Sequence, residues 1–177
     1  MNILVITGSP RHGANTETMA EAFAESAKTV GNNVIIKKAS ELKVAGCLGC
    51  QYCFEHDGEC VQKDDMGSIL EVLDTTDMVV FASPIYYFSI TAQLQAIINR
   101  FYARLRKGYN VKKAALLLVS GSPDVYNGAI EQYNELTKRM KWENKGIFTF
   151  SGMREKDSMA LSPEIKKVKE FGQSLTD

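Results

Sequence analysis

The sequence predicts an α/β fold, a three-layer α/β/α sandwich around a five-stranded parallel sheet. Its 177 residues suit one domain with a full-sized core. Five short apolar runs recur along the chain, and each is followed by a longer segment of helical character. Strands that alternate with helices imply right-handed crossovers and a parallel sheet covered on both faces. The predicted strands are Ile3–Ile6, Val34–Ile36, Met78–Ala82, Ala114–Val119 and Ile147–Phe150.

Helices are predicted where apolar and small residues recur at three- and four-residue steps, the spacing of one buried helix face. Between the first two runs these residues are Met19, Ala22, Phe23, Ser26, Ala27 and Val30. After the third run they are Leu94, Ile97, Ile98, Phe101 and Leu105. After the fourth they are Ile130, Tyr133, Thr137 and Met140, and the chain closes with Ile165, Val168, Gly172 and Leu175.

The strand order is predicted from how apolar each run is. Runs one, three and four are continuously apolar, as central parallel strands must be. Run two ends in Lys37 and Lys38, and run five contains Thr149, so both suit an edge. This arrangement fits the flavodoxin-like order 2-1-3-4-5. We expect one domain over residues 1–177, with a long cysteine-rich loop at about residues 40–62.

Composition excludes several classes of function. The chain has 21 basic and 21 acidic side chains and a formal net charge of zero, which argues against a nucleic-acid partner. No run reaches the roughly 18 apolar residues of a membrane helix. The N-terminus lacks the pattern of an export signal, so a cytoplasmic protein is expected. All four cysteines lie between Cys47 and Cys60, which indicates a metal or redox site before disulfides.

The loop after the first strand is predicted to hold a phosphate. Ligands of such sheets bind beyond the carboxyl ends of the strands, where the crossover direction reverses. Here the loop opens directly onto a helix, whose first N–H groups and positive dipole end attract an anion. Ser9, Asn15 and Thr16 can donate hydrogen bonds, and Arg11 can cover the anion. The plain alternative is a capped helix start preceded by a turn.

The loops after strands three and four complete the predicted site. Strand three leads into Ser83, Pro84, Ile85, Tyr86 and Tyr87, followed by Phe88 and Ser89. An apolar wall with polar tips suits a flat aromatic ring, although for Phe88 alone packing on the next helix is the favoured reading. Strand four leads into Ser120, Gly121 and Ser122. A phosphate site, an aromatic wall and a small-residue loop at one sheet edge indicate FMN.

These motifs resemble those of the NAD(P)H-dependent FMN reductases of the flavodoxin-like superfamily. The matching segments are Gly8-Ser9-Pro10-Arg11 with Asn15-Thr16, Asp64-Asp65-Met66, and Pro84-Ile85-Tyr86 leading to Asn99-Arg100. Within that family the chain is most similar to the iron–sulfur flavoproteins, through Cys47, Cys50, Cys53 and Cys60. Residues 151–157 lack the glycine-rich loop common in the family, so a pyridine-nucleotide site is not expected there.

The resemblance implies roles for the site residues and an activity. Ser9, Arg11, Asn15 and Thr16 would contact the phosphate and ribityl chain of FMN, while residues 83–87 and 120–122 would flank its ring. The flavin would carry electrons from NAD(P)H or a protein donor to a quinone, a nitro or azo compound, another flavin or oxygen. No side chain is required as a general acid or base, so no catalytic residue is predicted. The family also implies a homodimer or homotetramer.

The cysteine spacing C-x2-C-x2-C-x6-C fits a [4Fe–4S] cluster, because three-residue steps place successive thiolates around one cubane. Zinc is a second possibility, although its ligands usually come as two separated C-x2-C pairs. Free thiols or disulfides would leave a cluster-free NAD(P)H:FMN or quinone reductase. The sequence also allows two other functions. One is an electron-transfer protein without enzymatic activity, and the other is a zinc-stabilised binding module without flavin.

Overall fold

The fold is a five-stranded parallel sheet with the predicted order β2-β1-β3-β4-β5. The structure, a computed structural model, describes residues 1–176. The strands are β1 (Asn2–Thr7), β2 (Asn33–Lys38), β3 (Met78–Pro84), β4 (Lys113–Val119) and β5 (Glu143–Phe150). The prediction of a flavodoxin-like α/β/α sandwich is therefore confirmed. No helix within residues 1–176 has the length and apolarity needed to cross a bilayer.

Seven α-helices accompany the sheet within the described residues. They are α1 (Asn15–Thr29), α2 (Tyr52–Glu55), α3 (Met66–Leu73), α4 (Ala92–Arg100), α5 (Asn127–Met140), α6 (Ser158–Leu161) and α7 (Ile165–Gln173). Alternate residues of β1 face opposite layers because side chains of a strand alternate. Leu4 and Ile6 pack with α3, α4 and α5. Ile3 and Val5 pack with α1 and α7.

The edge strands extend further than their apolar runs predicted. β2 continues from Asn33 to Lys38, and β5 begins four residues early, at Glu143. Polar residues are tolerated there because an edge strand is less enclosed than a central one. The segment 40–62 is also not wholly irregular. It begins within a 3-10 turn at Ala39–Glu41 and contains α2.

The strand register brings four loops to one edge of the sheet. Thr7 pairs with Ala82, and Pro84 pairs with Val119. The Gly8 N–H continues the ladder by donating to the Ala82 carbonyl at 2.8 Å. The Ser120 N–H donates to the Phe150 carbonyl at 2.9 Å. The loops after β1, β3, β4 and β5 therefore meet where ligands bind in open parallel sheets.

Candidate functional site

A pocket of about 270 Å³ lies at the carboxyl edge of the sheet. Four loops build it, and each follows a different strand. Its lining consists of Ser9, Arg11, Ala14, Asn15, Thr16, Pro84, Ile85, Tyr86, Val119, Ser120, Gly121, Met153 and Arg154. Short strands of matched register place these distant parts of the chain side by side.

One corner of the pocket is the N-terminus of α1. Ala14 is the N-cap residue, and no side chain caps the helix there. The first intrahelical bond runs from the Thr18 N–H to the Ala14 carbonyl, so the N–H groups of the preceding helical residues have no partner within the helix. The Ser9 hydroxyl accepts from the Arg11 N–H at 3.1 Å, which folds the loop into a turn. This corner can bind an anion.

The charge of the pocket supports the same chemistry. Its lining includes Arg11 and Arg154, and within the described residues it includes no carboxylate. Arg154 Nε donates to the Gly121 carbonyl at 3.2 Å. Its side chain lies so close that a Cβ at Gly121 would be 2.9 Å from Arg154 Cγ. Glycine at this position therefore lets the arginine lie across the mouth of the pocket.

The aromatic corner is a strained turn. The Tyr86 N–H donates to the Ser89 carbonyl at 2.9 Å, and the Ser89 N–H returns the bond at 3.2 Å. Between them, Tyr87 and Phe88 have φ angles of +49° and +68°, the pattern of a type I′ turn. Bulky residues rarely adopt this region, and such strain concentrates at functional sites. Tyr87 is 96% exposed and Phe88 62% exposed.

The four cysteines form a second site, next to α2 and the end of α4. All four line a small cavity of about 20 Å³ together with Arg100. They are free thiols in this structure, with Cys47 and Cys50 exposed and Cys53 buried. Burial, with the charges of the other three cysteines, raises the pKa of Cys53. The Gly49 N–H donates to Cys47 Sγ at 3.4 Å.

The donor atoms of the cysteine cavity suit a sulfur-bound metal group, but their spacing in this structure does not. No three His, Cys, Asp or Glu side chains within residues 1–176 lie close enough together to hold a metal ion. The donor set is nevertheless four thiols at one cavity, and Arg100 Nε is a buried donor without a hydrogen-bond partner in the described chain. A buried N–H donor without a partner beside four thiols suits an anionic metal–thiolate group.

Comparison with known proteins identifies the family. A family model described as NADPH-dependent FMN reductase matches residues 1–142. The chain belongs to this FMN reductase family. The matched part contains β1 to β4, α5 and the four cysteines, and it ends just before β5.

Relatives of this chain include iron–sulfur flavoproteins. One from Methanosarcina thermophila is 37% identical over 124 residues, 69% of this chain and 64% of that protein. One from Archaeoglobus fulgidus is 37% identical over 100 residues, 56% of this chain and 45% of that protein. The chain spans about half the length of the iron–sulfur flavoproteins it matches.

A solved structure shares the fold. It is an NAD(P)H:quinone oxidoreductase from Methanothermobacter marburgensis, with a TM-score of 0.78 and 15% identity, over 100% of this chain and 96% of that chain. At this identity the likeness shows the flavodoxin-like fold.

The pocket at the carboxyl edge brings together nine of the twelve residues predicted to bind cofactor. The nine are Ser9, Arg11, Asn15, Thr16, Pro84, Ile85, Tyr86, Ser120 and Gly121. Ser83 lies beneath the pocket, where its buried hydroxyl donates to the Pro84 carbonyl at 2.8 Å. Tyr87 and Ser122 lie outside the lining. The assignment of all twelve to FMN stays a prediction.

Asn15 has a role that the sequence did not suggest. Its side-chain amide donates to the carbonyls of Met153 at 3.0 Å and Glu155 at 2.7 Å, and its Oδ1 accepts from the Met159 N–H at 2.8 Å. Asn15 therefore fastens the segment after β5 to the start of α1. This contact holds Met153 and Arg154 at the pocket, together with the hydrogen bonds from the Met153 N–H to the Ser120 carbonyl and from Arg154 to Gly121. No motif marks them, because only tertiary structure brings them there.

Proposed function

We propose that this chain binds FMN in the carboxyl-edge pocket and catalyses electron transfer from NAD(P)H or a reduced protein donor to a small acceptor. The acceptors that fit are quinones, nitro or azo compounds, free flavin and oxygen. One observation carries the proposal. An uncapped helix N-terminus, two arginines and an aromatic turn surround one pocket in a chain of the FMN reductase family.

The residues divide the work of binding. The first N–H groups of α1 hold the phosphate, Ser9 shapes the turn beside it, and Arg11 and Arg154 supply its counter-charge. Ile85 and Tyr86 form the apolar wall beside the ring, while Ser120 and Gly121 present open backbone opposite. FMN, when bound, supplies the redox chemistry by taking electrons from the donor and passing them to the acceptor. The protein provides position, charge and exclusion of water.

We also propose that the four cysteines hold a [4Fe–4S] cluster. The spacing of Cys47, Cys50, Cys53 and Cys60, their shared cavity and the names of the relatives support this reading. Iron would have to draw the thiols closer than they lie here. A cluster would split the electron pair of the flavin into single-electron steps. Zinc and a cluster-free protein are the outcomes that would contradict it.

We further propose a homodimer or homotetramer in the cytoplasm. The exposed rings of Tyr87 and Phe88 beside the pocket support a subunit contact, because large exposed aromatic groups are typical of interfaces. The crowding of all four cysteines between Cys47 and Cys60, which suits a metal group more than disulfides, supports a reducing compartment. Sedimentation of the purified protein would test the oligomer. A monomer at micromolar concentration would contradict it.

The first test is anaerobic purification followed by a visible spectrum and assays of flavin, iron, sulfide and zinc. Flavin with iron and sulfide is expected. Flavin without iron would remove the cluster proposal, and absence of flavin, even after addition of FMN, would remove the whole function. NAD(P)H oxidation with a quinone then separates an enzyme from a simple electron carrier, since the carrier shows negligible turnover.

The second test concerns the phosphate corner. Arg11→Ala should weaken FMN binding about 10- to 100-fold, since a hydrogen bond to a charged group is worth about 1.5–3 kcal/mol. Arg139→Ala is the matched control, because Arg139 is an exposed arginine of α5 that does not line the pocket. Fluorescence titration with FMN measures both. Equal affinity of the two variants would show that the phosphate lies elsewhere.

A further inference from the structure

Arg100 is the most deeply buried arginine in the described chain, at 1% exposure. It closes α4 and lies against the cysteine segment. Its Nη1 donates to Asp64 Oδ2 at 2.7 Å, and its Nη2 donates to Asp64 Oδ1 at 3.0 Å. Such two-pronged pairing is the strongest geometry available to an arginine and a carboxylate.

The same guanidinium joins the two ends of the cysteine loop. Nη1 also donates to the Ala45 carbonyl at 2.9 Å, just before Cys47. Nη2 also approaches the Gln62 carbonyl at 3.5 Å, just after Cys60. Asp64 supports this arrangement by accepting from the Ala45 N–H at 3.1 Å. Arg100 and Asp64 thus fix where the loop leaves and rejoins the domain.

One donor of Arg100 is left over. Nε is buried and, within residues 1–176, has no hydrogen-bond partner. Leaving a buried donor of a charged group unpaired is costly, so its retention calls for an explanation. Arg100 lines the cavity that the four cysteines line.

Arg104 shows what a purely structural arginine looks like in this fold. It is also buried, and it lies four residues further on. Its Nε and Nη2 donate to Asp74 at 3.0 and 3.1 Å, and its Nη1 donates to the Gly58 carbonyl. Every nitrogen of Arg104 is therefore paired, and Arg104 does not line the cysteine cavity. Only Arg100, of these two, keeps a donor free beside sulfur.

We propose that Arg100 donates its Nε hydrogen to an anionic cysteine sulfur of this cavity and so raises the reduction potential of the metal group that the cysteines hold. Arg100 is a positioning residue, since it acts through a ligand. The inference rests on the cluster proposed above. A hydrogen bond to sulfur and a nearby positive charge both favour the reduced, more negative state. Asp64 opposes this effect with its own charge while it holds the guanidinium in place.

Reconstitution with iron and sulfide under anaerobic conditions, followed by a redox titration, tests the proposal. Arg100→Gln removes the donor and the charge and leaves Asp64 uncompensated. Its potential should fall by an amount equal to a tenfold change in the reduction equilibrium, about 59 mV for one electron. Asp64→Asn should shift the potential in the opposite direction, upward. Arg104→Gln is the matched control and should shift it clearly less than Arg100→Gln.

The opposite signs separate a tuning role from a structural one. Loss of structure alone would move the two variants of the pair in the same direction. An unchanged potential in Arg100→Gln, or a fall in Asp64→Asn, overturns the inference. If Arg100→Gln does not fold, the rise expected in Asp64→Asn decides alone. Wild-type protein without iron overturns the cluster proposal and this inference with it, whereas a wild-type cluster with an insensitive potential overturns only the inference.

Discussion

Substitution of Gly8 by alanine tests how the loop after β1 is held in place. A Cβ at Gly8 would lie 2.6 Å from Thr91 Oγ1, 2.9 Å from Leu94 Cβ and 3.1 Å from Ser83 Oγ. All three partners are buried, so none can turn out into solvent. The Thr91 hydroxyl also caps α4, accepting from the Leu94 N–H at 3.4 Å and donating to the Gly8 carbonyl at 2.7 Å.

The expected cost follows from these contacts. Overpacking of a tight site costs about 1–3 kcal/mol, and loss of the N-cap adds about 1 kcal/mol. The lower entropy of alanine in the unfolded chain returns about 0.4–1 kcal/mol. Gly8→Ala should therefore destabilise the fold by about 1–3.5 kcal/mol, which lowers the melting temperature by roughly 2–14 °C for a chain of this size.

Urea unfolding of the apoprotein, followed by far-ultraviolet circular dichroism, measures this change. The control is Gly67→Ala in α3, where no atom of the described chain lies within 4 Å of the new Cβ. That variant should gain up to about 1 kcal/mol from helix propensity. FMN affinity should fall in Gly8→Ala alone, because its loop moves. Wild-type stability in Gly8→Ala would refute the close approach described here.

Three further predictions concern the same molecule. Arg154→Ala should weaken FMN binding about tenfold with unchanged urea stability, since its hydrogen bond to Gly121 is exposed; equal affinity to wild type in a fluorescence titration would contradict its place in the site. Exchanging Tyr87 and Phe88 for Asn and Gly should stabilise the fold by about 1–3 kcal/mol in urea unfolding, because these residues adopt a positive φ at lower cost. Quinone reductase activity should fall in the same variant. A less stable protein would show that the two rings pack against the rest of the fold. Burial opposes it, but the hydrogen bond from Arg100 lowers the pKa of Asp64. The stability that ionised Asp64 contributes is therefore complete above the unfolded pKa of about 3.9 and is lost as the pH falls through the lower folded pKa. Asp64→Asn should lose about 3–5 kcal/mol of unfolding free energy at pH 7 and less at pH 2, and a constant loss across that range would contradict the linkage.

Most of the fold could be predicted because the central strands are continuously apolar in sequence. Val79, Val80 and Leu117 are fully buried, and such runs in a chain with helical periodicity admit few other arrangements. The edges were harder to predict. β5 begins in polar residues from Glu143, where hydrogen bonding to β4 decides the strand and hydrophobicity does not. The four-residue helices α2 and α6 have no periodicity to detect.

The candidate site could be predicted only as far as local sequence determines it. Arg11 and Tyr86 follow directly after strands, so the sheet topology alone brings them to the pocket. Arg154 also lines the pocket, but it follows an edge strand. Asn15 holds the segment of Arg154 in place there. The sequence predicted that Asn15 contacts the phosphate, since an amide at a helix start can either bind an anion or hold a neighbouring segment. Ser83 likewise has the right chemistry, but its hydroxyl is already bonded within the backbone turn.

The hydrogen bonds of Asn15 join two parts of the pocket that come from different parts of the chain. Its phosphate corner, aromatic turn and small-residue loop all come from residues 1–142, the part that matches the family model. Met153 and Arg154 come from beyond that part. The hydrogen bonds of Asn15 therefore hold this last wall against the rest of the pocket. One asparagine at the start of a helix joins the part of the chain that matches the family model to the part that lies beyond it.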